Sequence, residues 1–164
     1  MSNAEWHLTL RIVGTSVCNV LDITSLIRLT TLLADLEGQM LTTVLLADDN
    51  ESVRKAIVRL LQGDPDIQVL AQGATFAQTI ELASKLHPQV IVLDVHMSDE
   101  RAVTLAQLKS ALMGSRLLAM SIWNDDETKS LAETIGAAAL LDKTKLATEL
   151  IPAIRQDSAN LSNS

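Results

Sequence analysis

The sequence predicts an α/β fold built on a five-stranded, parallel, doubly wound sheet, and two observations support that prediction. From residue 43 onward, short apolar runs alternate with stretches of helical period, five of each. The run at residues 90–93 is wholly aliphatic and follows Pro88, as expected for a central strand covered on both faces. Strands that alternate with helices require right-handed crossovers, and therefore a parallel sheet with helices on both faces.

Each element is predicted from its own pattern. Strands are expected at residues 43–47, 67–71, 90–93, 116–120 and 138–141, where apolar residues run together. Helices are expected at about residues 52–61, 75–86, 102–112, 125–135 and 144–155. The first helix should bury one apolar face, made of Val53, Ala56, Ile57, Leu60 and Leu61. The second should face inward through Phe76, Ile80, Leu82, Ala83 and Leu86.

The remaining segments flank this unit. The first four residues resemble an expression-vector scar, and a β/α extension is predicted at residues 1–42, with a strand at about 6–13 and a helix at about 24–37. One interpretation adds this extension to the sheet or to a second copy of the chain, giving a homodimer. The other treats it as poorly ordered or upstream sequence, because Met40 directly precedes the first strand. Residues 157–164 form a Ser- and Asn-rich tail.

Composition excludes several function classes. The 164 residues are 48% hydrophobic and 20% charged, which fits one domain plus an appendage. A net charge of −7 and a pI near 4.8 argue against nucleic acid binding through a basic surface. Cys18 is the only cysteine, which excludes an internal disulfide and fits a reducing cytosol. No apolar run reaches the roughly 18 residues of a membrane span, so no membrane partner is expected.

Polar residues stand just after four of the predicted strands. They are Asp48 and Asp49 after the first strand, Asp94 after the third, Ser121 after the fourth and Lys143 after the fifth. The carboxyl ends of parallel strands share one edge of a doubly wound sheet, so these side chains should converge there. Asp94 alone could merely cap a turn, but several converging groups are a stronger signal. Three carboxylates together repel one another unless a cation is present. Oxygen ligands without a His or Cys cluster favour Mg²⁺.

Three stretches carry a resemblance to a known family: "VLLADDNESVRKAIVRLL", "LHPQVIVLDVHM" and "GAAALLDKTK". They resemble the receiver domain of bacterial two-component response regulators of the LuxR/NarL type, over residues 43–156. The resemblance implies a flavodoxin/CheY-like sheet of order 2-1-3-4-5 and a phosphoryl group accepted by Asp94. It also implies Mg²⁺ held by Asp48, Asp49, Asp94 and the main-chain carbonyl of His96. Ser121 and Lys143 would contact the phosphoryl oxygens.

By the same resemblance, the chain is expected to act as a cytoplasmic signalling switch, with a sensor histidine kinase or phosphotransfer protein as donor. It would be no enzyme beyond self-catalysed phosphotransfer and slow autodephosphorylation. Two alternatives are an unphosphorylated interaction module and a regulator truncated before its DNA-binding domain. A phosphohydrolase of the haloacid dehalogenase type is disfavoured, because its second acid would stand where this chain has His96.

Several positions depart from the family pattern. Ser98 follows Met97 where a Pro is expected, and Leu140 replaces the aromatic residue of the fifth strand. Ile122 and Trp123 follow the hydroxyl residue, where a small residue is usual. Bulky groups there would crowd the attacking water, which predicts slow loss of the phosphoryl group. Leu140 would have to fill the gap that a rotating aromatic ring occupies in the family.

Overall fold

The structure is a computed structural model that describes residues 41–99 and 102–156. Its strands are β1 Thr42–Ala47, β2 Ile67–Gly73, β3 Val90–Asp94, β4 Arg116–Ser121 and β5 Ala139–Asp142. Its helices are α1 Glu51–Leu61, α2 Phe76–Leu86, α3 Leu105–Leu112, α4 Asp126–Ile135 and α5 Leu146–Arg155. The strands form one parallel sheet of order β2-β1-β3-β4-β5. The predicted sheet is therefore confirmed. The β/α extension at residues 1–42 and the tail at 157–164 lie almost wholly outside the described residues.

Strand β3 is central because its sequence can be buried on both sides. Every residue of Val90–Asp94 is buried, between β1 and β4. Successive side chains of a strand point to opposite faces, so the sheet supplies two separate cores. One core packs against α1 and α5, and its most buried members are Val44, Leu46, Leu61, Val92, Leu118, Met120 and Leu150. The other packs against α2, α3 and α4 through Leu45, Phe76, Ile91, Leu93, Leu108, Ala119 and Ile135.

Helix faces differ in places from the prediction. Leu86 was expected to face inward but is 39% exposed, whereas Thr79 is fully buried in α2. The Thr79 hydroxyl donates to the Thr75 carbonyl at 2.7 Å, so this buried hydroxyl has a hydrogen-bond partner without solvent. Ala56 of α1 is also exposed. These predictions were wrong because the helical period gives a face but not how far the neighbouring elements extend over it.

Helix α3 begins later than the predicted residue 102, because a capping box fixes its first turn. The Thr104 hydroxyl accepts from the Gln107 main-chain N–H at 3.2 Å, and the Gln107 side chain accepts from the Thr104 N–H at 3.0 Å. Two otherwise unpaired donors of the helix end are thereby satisfied. Among the described helices, none has the length and apolar character needed to cross a bilayer.

Candidate functional site

Strand register brings the candidate residues to one edge of the sheet. Ala47 of β1 pairs with Leu93 of β3. The next residues along the two strands, Asp48 and Asp94, are therefore neighbours at adjacent strand ends. Asp94 pairs in turn with Met120 of β4, and Ser121 ends that strand. Lys143 directly follows β5, and its main-chain N–H donates to the Ser121 carbonyl at 2.8 Å.

Lys143 lies between two buried acids. Its Nζ is 2.6 Å from Asp94 Oδ2 and 2.6 Å from Asp48 Oδ2. The Lys143 side chain is 13% exposed, and those of Asp94 and Asp48 are 6% and 0% exposed. Burial by itself lowers the pKa of Lys143, but hydrogen bonding and charge from Asp48 and Asp94 outweigh burial and raise that pKa. The ammonium is therefore fully charged at neutral pH and neutralises part of the acidic pocket.

Asp94 is held through both carboxylate oxygens. Its Oδ1 accepts from the main-chain N–H of His96 at 3.0 Å, and its Oδ2 accepts from Lys143 Nζ. The strand itself is anchored just beyond, where the Val95 N–H donates to the Met120 carbonyl at 3.2 Å. A carboxylate fixed in this way presents its remaining lone pairs in a defined direction, as a nucleophile requires.

The two acids after β1 differ in their surroundings. Asp48 is fully buried and its Oδ1 accepts from the Asn50 N–H at 2.8 Å, whereas Asp49 is exposed. Asp48 Oδ2 lies 2.6 Å from Lys143 Nζ and forms an ion pair with it. A carboxylate oxygen has two lone pairs, so one remains for a cation beside the contact with Lys143. Asp49 Oδ2 accepts from the Ser98 N–H at 3.0 Å.

Asp48, Asp49 and Asp94 fit a divalent metal site. One oxygen from each of the three lies within 4.8 Å of the others. Opposite ligands of octahedral Mg²⁺ are about 4.2 Å apart, twice its usual bond length. Adjacent ligands are about 3.0 Å apart, so the three oxygens would have to move closer together to bind one ion. The predicted fourth ligand, the His96 carbonyl, belongs to a residue whose own N–H already contacts Asp94.

Ser121 has a hydroxyl whose proton is available. The residue is 1% exposed, and its Oγ accepts from the Trp123 main-chain N–H at 3.0 Å. Because a hydroxyl both accepts and donates, accepting from Trp123 leaves the O–H free to donate to an oxyanion. The same hydrogen bond links Ser121 to Trp123, whose side chain lies at the rim of the site and is 52% exposed.

The structure adds contacts that sequence reasoning missed. His96 Nε2 lies 3.3 Å from the hydroxyl of Thr128, a buried residue of α4. The His96 ring meets Trp123 edge-on, with centroids 4.8 Å apart and planes at 82°. Arg54 of α1 donates to the Asp48 carbonyl at 2.6 Å. The two contacts of His96 join segments that only the fold brings together, so the local sequence does not signal them, whereas Arg54 and Asp48 are six residues apart.

Comparison with known proteins gives a consistent result. A family profile described as the response regulator receiver domain matches residues 44–155. The chain is 31% identical over 125 residues to the nitrate/nitrite response regulator protein NarL of Escherichia coli K12, a match covering 76% of this chain and 58% of that protein. It is 31% identical over 116 residues to the transcriptional regulatory protein LiaR of Bacillus subtilis, covering 70% and 55%. The chain thus spans less than two thirds of the length of these curated relatives.

Solved structures show the same fold. The signal receiver domain of the putative response regulator NarL from Mycobacterium tuberculosis superimposes with a TM-score of 0.60 at 23% identity, over 71% of this chain and 98% of that one. A LuxR-family two-component response regulator from Aurantimonas gives a TM-score of 0.65 at 21% identity, over 73% and 86%. At these identities the similarity concerns the backbone architecture.

Proposed function

Because this chain belongs to the response regulator receiver family, with relatives of the LuxR/NarL type, we propose that it is a phosphorylation-controlled signalling switch in which Asp94 accepts the phosphoryl group. The observation that best supports the proposal is Lys143 Nζ, 2.6 Å from both Asp94 and Asp48 in a buried pocket. A fixed ammonium beside a fixed carboxylate is the arrangement that phosphoryl transfer to an acid requires.

The transfer step uses groups already in place. One oxygen of Asp94 forms a bond to phosphorus while the bond from phosphorus to the donor's imidazole nitrogen breaks, and the imidazole keeps that electron pair. When Asp94 becomes an acyl phosphate, its carboxylate charge is lost, and Lys143 would then pair with a phosphoryl oxygen instead. Ser121 donates a hydrogen bond from its hydroxyl to another phosphoryl oxygen. Positioning and electrostatics therefore supply most of the catalysis.

We further propose that Asp48, Asp49, Asp94 and the His96 carbonyl hold Mg²⁺. The fit rests on the three converging carboxylates and on the lone pair of Asp48 Oδ2 that its contact with Lys143 leaves unused. The ion, when bound, would neutralise charge that the acids and the phosphoryl oxygens bring together. Lys143 supplies only one positive charge against three carboxylates, so the pocket retains an excess of negative charge without the ion.

The output step is proposed to run from Ser121 to α4. If Ser121 turns toward a phosphoryl oxygen, its bond from the Trp123 N–H is strained, and Trp123 contacts His96, which contacts Thr128 on α4. The phosphoryl group then interacts more favourably with one arrangement of the loop after β4 than with the other, and such a difference is what a population shift requires. The expected output face is α4, β5 and α5. Leu140 in β5 is half-buried there and can fill or vacate a gap.

The phosphoryl group should be lost slowly. The His96 and Trp123 rings pack together, and the His96 main-chain N–H donates to Asp94, so both rings belong to loops that border the acceptor. We propose that these rings restrict the space for the water that would attack the phosphorus. A half-life in the range of seconds for the phosphorylated protein would contradict this part of the proposal.

The proposed donor is a sensor histidine kinase or a phosphotransfer protein, and the proposed location is the cytoplasm. Homodimer formation through the N-terminal extension remains part of the proposal, tested by the oligomeric state with and without residues 1–42. LiaR is a transcriptional regulatory protein, and it extends beyond the region that this chain matches. For this chain we propose the receiver step alone.

The proposal is tested by phosphorylation with a small acyl phosphate and Mg²⁺, followed by intact mass. Wild type should gain one phosphoryl group, and Asp94→Asn should gain none. Asp126→Asn, at an acid whose side chain is fully exposed on α4, is the matched control and should behave as wild type. Beryllofluoride with Mg²⁺ should change Trp123 fluorescence in a Trp6→Phe background. No phosphorylation and no response to beryllofluoride in wild type would favour an unphosphorylated interaction module.

A further inference from the structure

The main chain of Ser98 contacts an acid of the pocket. Its N–H donates to Asp49 Oδ2 at 3.0 Å, across 49 residues of sequence. Asp49 is exposed, and an exposed carboxylate would otherwise sample several rotamers. A hydrogen bond from the backbone restricts that sampling and occupies one of its two oxygens.

This bond depends on which residue stands at position 98. Any residue with a main-chain N–H can donate, so the Ser98 side chain is not required. Proline has no N–H and could not form the bond. The contact with Asp49 therefore follows from having Ser98 rather than a proline after Met97.

The segment around Ser98 is held on both sides. Met97 is 1% exposed within the core that packs against α2, α3 and α4. Asp99 accepts from the Phe76 N–H at 2.9 Å and from the Ala77 N–H at 3.3 Å, in the first turn of α2. A buried side chain and a carboxylate bound to a helix end thus determine the direction of the Ser98 N–H. Solvent alone would not keep it aimed at Asp49.

We propose that Ser98 is a positioning residue for the divalent cation. Its main-chain N–H holds Asp49 by one oxygen and leaves the other for Mg²⁺, which lowers the entropy lost when the metal binds. Hydrogen bonds of this kind orient ligating carboxylates, and their loss weakens metal binding substantially. The inference rests on the proposed function, since it concerns the ion at the same acids.

The test compares two substitutions at one position, both in a Trp6→Phe background. Ser98→Pro removes the N–H, and Ser98→Ala keeps it while removing the side chain. Mg²⁺ is titrated while Trp123 fluorescence is followed. Ser98→Pro should raise the Mg²⁺ dissociation constant about tenfold, whereas Ser98→Ala should leave it nearly unchanged. The midpoint of thermal unfolding in EDTA is the folding control, and Ser98→Pro should lower it only slightly, because the lost hydrogen bond lies at an exposed carboxylate.

A double-mutant cycle shows whether the effect passes through Asp49. In an Asp49→Ala background, Ser98→Pro should cause no further loss of Mg²⁺ affinity, because the acceptor is already absent. An equal loss in both backgrounds would overturn the inference and leave only a general effect on the loop.

The outcomes separate this inference from the proposed function. If wild type shows no Mg²⁺ response and no phosphorylation, the proposed function fails. If wild type responds and Ser98→Pro binds Mg²⁺ equally well, only the role of Ser98 fails. Should the proline variant not fold, the amide resonance of Ser98 in wild type decides. It should shift with Mg²⁺ at the same midpoint as Trp123 fluorescence, and an unmoved resonance overturns the inference.

Discussion

At the scale of single residues, the pocket illustrates why one buried ammonium matters. Asp48 and Asp94 are both buried, and each lies 2.6 Å from Lys143 Nζ. Two carboxylates so close and so poorly solvated repel one another, while the shared cation offsets both charges. The raised pKa of Lys143 has the same origin, because the two acids outweigh the burial that opposes its charge.

Lys143→Met should lower the free energy of unfolding by about 3 kcal/mol in metal-free buffer, since the variant leaves two buried carboxylates unpaired. Urea unfolding measures this loss. Mg²⁺ should restore more stability to the variant than it adds to wild type, because the ion can replace the missing positive charge. An identical Mg²⁺ effect on both proteins would contradict the expectation.

Lys145→Met is the matched control for that experiment. Lys145 is two residues away, its side chain is 61% exposed, and its ion pair with Asp142 spans 3.8 Å. Exposed pairs of this length contribute little, so the change should stay below about 0.5 kcal/mol.

At the scale of elements, β2 and α2 meet closely beside the site. The Gly73 carbonyl at the end of β2 accepts from the Asp48 N–H at 3.1 Å. A Cβ on Gly73 would lie 2.6 Å from Thr79 Oγ1, and that hydroxyl is fixed by its bond to the Thr75 carbonyl. The contact requires glycine for space, and it keeps the start of α2 close to the acid pair.

Gly73→Ala should therefore destabilise the fold by about 2 kcal/mol through overpacking. Adding Thr79→Ala removes the clashing oxygen, so the double variant should lose less stability than the sum of the single changes. Gly114→Ala is the control, because a Cβ there has no neighbour within 4 Å, and its effect should be within about 0.5 kcal/mol. Strict additivity of the first pair would show that Thr79 is not what excludes a Cβ.

At the scale of the whole domain, an ion pair joins the last helix, α5, to the turn that follows α1. Arg155 Nη2 contacts both oxygens of Asp64, at 2.7 and 2.8 Å, and Asp66 at 3.4 Å. Asp64 is 7% exposed, so it needs a charged partner. This contact joins α5 to the α1–β2 turn and closes the core that packs against those two helices.

Arg155→Met should cost about 1 kcal/mol of folding free energy, because Asp64 loses its cation but keeps a hydrogen bond from the Asp66 N–H. The difference from wild type should shrink as salt is added, since half of the Arg155 side chain is exposed. Lys129→Met, at an exposed α4 pair with Asp126, should change stability by less. Equal losses in the two variants would indicate that Asp64 does not depend on Arg155.

The sequence by itself determined the strands and the ends at which polar residues stand. Apolar runs of strand length are a local property, and the two residues that follow each run are known once the run is known. Asp48, Asp49, Asp94, Ser121 and Lys143 were therefore identifiable as one candidate set before any coordinates. Their roles as acceptor and ligands remain proposals.

The tertiary structure alone decided which atoms meet. Lys143 between two acids, Ser98 donating to Asp49, and His96 against Thr128 all join segments far apart in the chain. Periodicity fixes the direction of a side chain on its own element, but distances between elements depend on strand register and on how helices cover the sheet. For that reason Leu86 is exposed, although the helical pattern predicted that it would face inward, and Thr79 is buried.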